Sequence, residues 1–296
     1  MPRDRALAPA RLARVQAALD DVRARCDVPR RLAADPVSIV HRYTDALDRE
    51  IVAVVASSLA FGNAKAFRVK IDDALDRLGP EVAKAADDEA RVRRLLRGWK
   101  HRVYRDGDLV ALVVGARRVQ REHGSLGAAL ARMYAEAGGD LRAALTSFTG
   151  AIRAAGPFDG GHGAGHILVD PAKGSASKRL LLLLRWMVRA ADGVDLGAWT
   201  GVPASALLIP VDTHVHKLAK NLALTRRADC SWRTAEEITA ALRGFDPDDP
   251  VKYDFSLCHL GMLQHCPSRR DAARCEGCGV KPVCRHWQRG ARGAET

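Results

Sequence analysis

The stretch "LIPVDTHVHKLAKNLAL", Leu208–Leu224, decides the fold. Pro210 interrupts whatever precedes it, and a helix begins after Val211. Asp212 or Thr213 stands at the start of that helix. There the first backbone N–H groups have no intrahelical acceptor, and together with the helix dipole they stabilise a carboxylate. An Asp in this place is also an ordinary helix cap, so the segment gains meaning only from its surroundings.

The first of those surroundings lies some fifty residues downstream, in "HCPSRRDAARCEGCGVKPVC", His265–Cys284. It holds four of the seven cysteines, spaced Cys266-x8-Cys275-x2-Cys278-x5-Cys284. A Cys-x2-Cys pair puts two sulfurs on one tight turn, and two further thiols complete a four-thiolate shell. Structural zinc and a [4Fe-4S] cluster both accept such a shell. His265 and His286 flank the cysteines and are bystanders if all four thiols ligate. Cys26, Cys230 and Cys258 stand apart and are expected to be ordinary apolar or partly buried residues.

Composition narrows the setting. The chain has 296 residues, 47% of them hydrophobic and 28% charged, as expected of a soluble globular protein. The start, "MPRDRALAPARLARV", has no continuous apolar stretch, so no signal peptide is expected. The longest apolar run, "RLLLLLRWMV", is broken by Arg185 and too short to span a bilayer. A cytoplasmic location follows, where clustered cysteines bind metal more often than they pair. Lys and Arg number 47 against 35 Asp and Glu, a formal charge of +12 that suits a polyanion.

Helical patterns dominate. Apolar stripes at helical spacing recur in "PARLARVQAALDDVRARC", "DREIVAVVASSLAFG", "DEARVRRLLRGW", "DGDLVALVVGARRVQREHG", "SLGAALARMYAEAGG" and "DLRAALTSFTGAIRAAG", the last opened by Asp140. "GPFDGGHGAGHILVDPAKG" reads as a loop. Helices resume in "SASKRLLLLLRWMVRAAD", "THVHKLAKNLAL", "SWRTAEEITAALRGF" and "PVKYDFSLCHLGML". No period-two run stands out, and the expected fold class is all-α.

"VDTHVHKLAKNL" resembles the corresponding helix of the helix-hairpin-helix DNA glycosylases, the superfamily of endonuclease III. In that family the Asp is the catalytic carboxylate, and a four-cysteine loop holding a [4Fe-4S] cluster often ends the chain. Both parts occur here in the same order, which favours iron–sulfur over zinc for Cys266, Cys275, Cys278 and Cys284. The first gap, x8, is longer than the family's usual spacing. The resemblance runs from about residue 35 onward and is nearest to a bacterial branch of the superfamily. The connection between Lys178 and Asp212, through "RAADGVDLGAWTGVPASALLI", is longer than in endonuclease III. In this it is similar to the archaeal 8-oxoguanine glycosylases, and a short helix and a turn are expected there.

Upstream, Gly174-Ser175-Ala176-Ser177-Lys178 resembles the family's G-x-G-x-K hairpin, with Ala176 in place of the second glycine. Such a turn exposes N–H groups on which a DNA phosphate docks. The resemblance implies that Lys178 is the nucleophile of a bifunctional enzyme, in preference to Lys173, and that Asp212 assists it. It further implies base-excision repair: glycosylase and AP lyase action on double-stranded DNA carrying a damaged base, oxidised purines included. The protein would be a monomer, nucleoid-associated when bound. The implied architecture is a helical barrel over residues 46–209 and a second lobe from 1–45 with 210–296, the active site lying between them. The cluster would fold a basic loop carrying Arg269, Arg270, Arg274, Lys281 and Arg285 against the DNA backbone. The alternatives are a monofunctional glycosylase, a binder of DNA structure or damage without chemistry, and a zinc module in an unrelated helical protein.

Weaker features complete the sequence. "RVRRLLRGWKHRVYR", residues 91–105, carries seven Lys or Arg with Trp99 and Tyr104 between them. It is either a backbone-contacting face with stacking aromatics or the solvated side of a helix, and the second is preferred. His162 and His166 lie near the hairpin and either shape a base pocket or merely occupy a flexible loop. "FGNAK" lies where the glycosylase superfamily keeps residues that fill the gap left by a flipped base, and that resemblance makes Asn63 a candidate wedge.

Overall fold

The computed structural model describes residues 9–263, 266–267 and 270–288. Sixteen α-helices are present among them, with one two-stranded ribbon of two residues a side, so the chain is mostly helical as expected. No helix among the described residues is long and apolar enough to cross a membrane.

Two compact units divide the chain: Val28–Leu207, and Met1–Asp27 together with Leu208–Thr296. The second division falls two residues before the expected junction at 209 and 210. The first does not fall between 45 and 46. Val28–Ala34 packs on Val37–Val40, and that short helix packs on Ala46–Leu59, so these residues belong with the larger unit.

In the larger unit, Ala46–Leu59 is the core helix, with every residue from Glu50 to Leu59 buried. Asp45 caps it, accepting from the amides of Leu47 and Asp48. Lys178–Val188, Asp106–His123 and Ala64–Leu78 pack against it. Leu141–Ala155 packs on Asp106–His123 and Leu126–Glu136, and its cap is Asp140 as expected. Glu50 is a buried polar hub. Its carboxylate accepts from Gln120 Nε2 (2.7 Å), Leu126 N (2.8 Å), Gly127 N (3.1 Å) and Trp199 Nε1 (2.7 Å). Removing water from a carboxylate is tolerable only with such a full set of donors. The long connection after Val188 is mostly irregular, with one 3-10 turn at Ala204–Ala206 instead of the expected short helix. It is tied down by Trp199 on Glu50 and by buried ion pairs from Asp195 to Arg185 (3.1 Å) and Arg189 (2.7 Å).

Three sequence expectations change. The Ala64–Leu78 helix lies outside them, although Asn63 caps it and Phe67, Ile71, Ala74, Leu75 and Leu78 form its buried stripe. The stretch 156–174 is not only loop, since it holds the helix His162–Ile167 and the 3-10 turn Pro171–Lys173. The stretch 91–105 is not one helix. Glu89–Leu95 ends early, and Lys100–His101 then pairs with Tyr104–Arg105. Trp99 and Tyr104 are buried core residues, so neither is a surface platform for stacking.

The smaller unit joins Pro9–Ala24 to the C-terminal helices. Thr213–Leu222 packs on Asp254–Leu263, and Pro9–Ala24 packs on Asp254–Leu263 and on the 3-10 turn Lys281–Val283. Gly261 allows the close approach of Thr213–Leu222. A Cβ there would stand 3.1 Å from His214 Cβ and 3.2 Å from Leu218 Cδ1.

Candidate functional site

In the larger unit the site is a turn leading into a helix. Asp170 accepts from Ala172 N (2.9 Å) and opens the 3-10 turn Pro171–Lys173. Gly174 closes it with φ +83°, a conformation that costs any other residue, and donates to Pro171 O (3.0 Å). Arg142 clamps the turn from Leu141–Ala155, donating from Nε to Pro171 O (3.1 Å) and from Nη2 to Ala172 O (3.3 Å).

The backbone turns left a second time at Ser177 (φ 47°, ψ 34°), not at Ala176. Ala176 therefore replaces the second glycine of the hairpin pattern without strain, and it is buried. No side chain caps the helix Lys178–Val188, whose residues from Leu180 to Val188 are all buried and fix the helix in the core. Lys178 is half-buried at its first position, whereas Lys173 is exposed and Ser175 is exposed beside it.

Behind Lys178 lies a cluster that no single stretch of sequence announces. Arg179 donates to Ser58 O (2.6 Å), to the Tyr104 hydroxyl and to His166 O. The Tyr104 hydroxyl is 2.7 Å from His166 Nδ1. Burial pushes the Tyr104 phenol up, and the Arg179 charge pulls it back. Phe61 stands among His101, Tyr104 and His166, at 5.4, 5.2 and 5.2 Å between ring centroids. Of the two expected histidines, His166 thus belongs to the surroundings of the hairpin, while the side chain of His162 lies outside the described residues. Asn63 spends its side-chain oxygen on Ala66 N (3.1 Å) as a helix cap. It is exposed there, and a wedge role would have to coexist with the cap.

In the smaller unit Asp212 is the cap of Thr213–Leu222. Its Oδ1 accepts from His214 N and Val215 N, both at 2.9 Å, and its Oδ2 is 4.0 Å from Cys258 Sγ. The same helix reaches the cysteine loop. Lys217 Nζ donates to Cys266 O (2.8 Å), and Asn221 Nδ2 lies 3.4 Å from Cys266 Sγ. These two residues are one turn apart and share a helix face.

Cys266, Cys275, Cys278 and Cys284 line one recess of about 450 Å³, counting the part open to solvent, with Leu218, Leu260 and Trp287 among its apolar walls. Successive turns carry the loop around it: Cys278 N donates to Cys275 O (3.3 Å), Lys281 N to Cys278 O (2.9 Å) and Cys284 N to Lys281 O (3.2 Å). Burial pushes the thiols of Cys266, Cys278 and Cys284 up, and neighbouring cysteines push them further. Among the described residues no three His, Cys, Asp or Glu side chains stand close enough to hold a single metal ion.

Arg270 is exposed and lies 4.2 Å over the Trp287 ring, with Lys281 at 4.4 Å. Arg269 and His265 lie outside the described residues. Cys26 and Cys258 are half-buried, but Cys230 is exposed, unlike the expectation.

Comparison with known proteins gives one family. Residues 35–263 match the family described as a protein of unknown function (DUF2400). No curated protein and no solved structure matches the chain. The matched part includes the hairpin, Lys178 and the Asp212 helix, and it ends before the first of the four clustered cysteines. Since the match spans well over half of the 296 residues, this chain belongs to the DUF2400 family.

Proposed function

We propose that this protein is a base-excision DNA glycosylase of the helix-hairpin-helix type, bifunctional through Lys178 and carrying a [4Fe-4S] cluster. One observation carries this proposal: the helix Thr213–Leu222 has Asp212 as its cap and, through Lys217 and Asn221, holds the first of four cysteines that line a single recess. Asp212 alone would be an ordinary cap; what supports the reading is that the helix it caps also reaches the thiol-lined recess, as the resemblance implies.

The donor set fits the cluster. Four thiols from one loop face one apolar recess, and a cationic centre bound there would favour the thiolates that burial alone disfavours at Cys266, Cys278 and Cys284. Cys266, Cys275, Cys278 and Cys284 would hold it, and its contribution would be to fix the fold of the loop that presents Arg270 and Lys281.

The chemistry would run on the chain's own residues. A base inside a duplex is out of reach, so the nucleotide is flipped out first. The turn at Gly174–Ser177 leads into a helix start that no side chain caps, and backbone N–H groups there would receive a phosphate beside the flipped nucleotide. The neutral amine of Lys178 attacks the sugar C1′, the C1′–N bond breaks and the base leaves. The amine then loses a proton while the C1′–O4′ bond opens and O4′ takes up a proton, giving a Schiff base; loss of a C2′ proton from it expels the 3′ phosphate by breaking C3′–O3′ and cuts the strand on the 3′ side. Asp212, as a carboxylate, would stabilise the cationic sugar and relay protons. A panel of duplexes carrying oxidised purines, oxidised pyrimidines, uracil or abasic sites, scored for base release and nicking, tests the proposal. No release and no nicking across that panel would leave a binder of DNA structure in its place.

A further inference from the structure

The ribbon at residues 100–105 breaks two local rules at once. Its register pairs Lys100 with Arg105 and His101 with Tyr104, which leaves Arg102 and Val103 as the two residues of the turn. Arg102 has φ 54°, at the first turn position, where a hairpin with this sign of φ prefers glycine. A side chain there carries a conformational cost of order 1 kcal/mol. Lys100 and Arg105 are like charges directly opposite one another, a pairing that weakens a ribbon. Val103 is 45% exposed, one of two large apolar side chains exposed to this degree among the described residues.

The side chains beneath are orderly. His101 and Tyr104, on the other face, are buried against Phe61. The Arg102 guanidinium lies 5.1 Å over the same Phe61 ring, which holds it out in a defined orientation. Gly62 makes room for it, since a Cβ at that position would collide with Arg102 Nη1. Lys65, Lys100, Arg102 and Arg105 are all exposed and have no ion-pair partner among the described residues. Strain and like-charge contact retained in a well-packed setting point to a use for the side chains outside the fold.

We infer that the Arg102–Val103 hairpin tip is a contact surface for the DNA phosphate backbone, with Arg102 as its principal cation and Lys100 and Arg105 beside it. Docked phosphates would relieve the repulsion between Lys100 and Arg105, and Val103 would cover apolar sugar surface. This inference rests on the proposal that the protein binds DNA, and the experiment separates the two.

Binding of the full chain to a labelled undamaged duplex, and to one of its strands alone, is measured by anisotropy over a range of salt. Arg102→Gly relieves the backbone at φ 54° while deleting the cation. It should weaken binding several-fold, lower the slope of log affinity against log salt by about one, and leave the melting temperature unchanged or raised. Val103→Asp, at an exposed position, should weaken binding about tenfold or more without changing the melting temperature. Stronger effects on the single strand than on the duplex would place the unpaired strand at the tip. If the wild type binds steeply with salt and both variants match it, the inference is wrong and the DNA-binding proposal stands. If Arg102→Gly lowers both stability and affinity, Val103→Asp decides: affinity like the wild type overturns the inference. If the wild type binds neither DNA, the underlying proposal itself is wrong.

Discussion

Asn221 Nδ2 lies 3.4 Å from the sulfur of Cys266. If Cys266 ligates the proposed cluster, a donor aimed at its sulfur stabilises the charge that accumulates there on reduction. Protein purified without oxygen should be brown and contain about four irons per chain. Asn221→Leu conserves volume and removes the donor, so the reduction potential should fall and iron should be lost to a chelator several-fold faster. Cys275→Ser should fail to hold the iron. Stoichiometric zinc without iron in the wild type would remove the cluster, and an unshifted potential in Asn221→Leu would remove the role of the hydrogen bond.

The pH dependence of stability should include a term from His101. It is buried, its Nε2 has no partner, and burial followed by the charges of Arg102 and Lys70 holds its pKa below the ordinary value of 6.5. Above that pH the imidazole is neutral folded and unfolded, and the term is constant. As pH falls below 6.5 the unfolded chain takes up a proton that the folded chain refuses, so stability is lost toward acid. His101→Phe keeps an aromatic ring against Phe61 and cannot titrate. Chemical denaturation at pH 7.5 and 5.5 should show a smaller acid loss for the variant, and equal losses would place the acid sensitivity elsewhere.

Much of this was legible in the residue pattern because the signals are local. Asp140 and Ser125 each precede a helix and each caps it. Asp212 announces the start of its helix, and the cysteine spacing announces a loop that gathers four sulfurs. The Ala64–Leu78 helix also carries local signals, the Asn63 cap, an apolar stripe and a stop at Gly79, but charged residues dominate its outer face and dilute them. What escapes a linear reading is assembled from afar. Phe61, His101, Tyr104, His166 and Arg179 meet from four separate segments. Lys217 and Asn221 carry no local signal of their role, which arises only when the loop at Cys266 is folded against them. The stretch 91–105, preferred as the solvated side of one helix, differs for the opposite reason: the helix ends at Leu95, and both Trp99 and Tyr104 are buried in the core.

Asp212 has a structural task and a proposed chemical one, and two substitutions separate them. Asparagine caps helices about as well as aspartate, so Asp212→Asn should change folding stability by no more than about 0.5 kcal/mol. Asp212→Ala loses the bonds to His214 N and Val215 N and should cost about 1 kcal/mol. Both should slow base release on the order of a hundredfold or more, because acid–base and electrostatic help disappear together. A fully active Asp212→Asn protein would leave Asp212 as a cap and nothing else.

Lys178 is the most exposed part of the functional proposal. It begins a helix whose next residue, Arg179, is fastened to Ser58, Tyr104 and His166, so the amine is carried on a rigid base. If that amine forms a Schiff base, borohydride should trap a covalent protein–DNA complex on a suitable damaged duplex. Lys178→Gln retains length and polarity without a nucleophile, so trapping should vanish while binding to undamaged duplex largely persists. Lys173→Gln, at an exposed position in the preceding turn, should leave trapping mostly intact. Trapping that survives Lys178→Gln and is lost in Lys173→Gln would move the nucleophile to the turn. Base release without trapping on any lesion would mean that a water molecule, activated at Asp212, replaces the amine and that the enzyme is monofunctional.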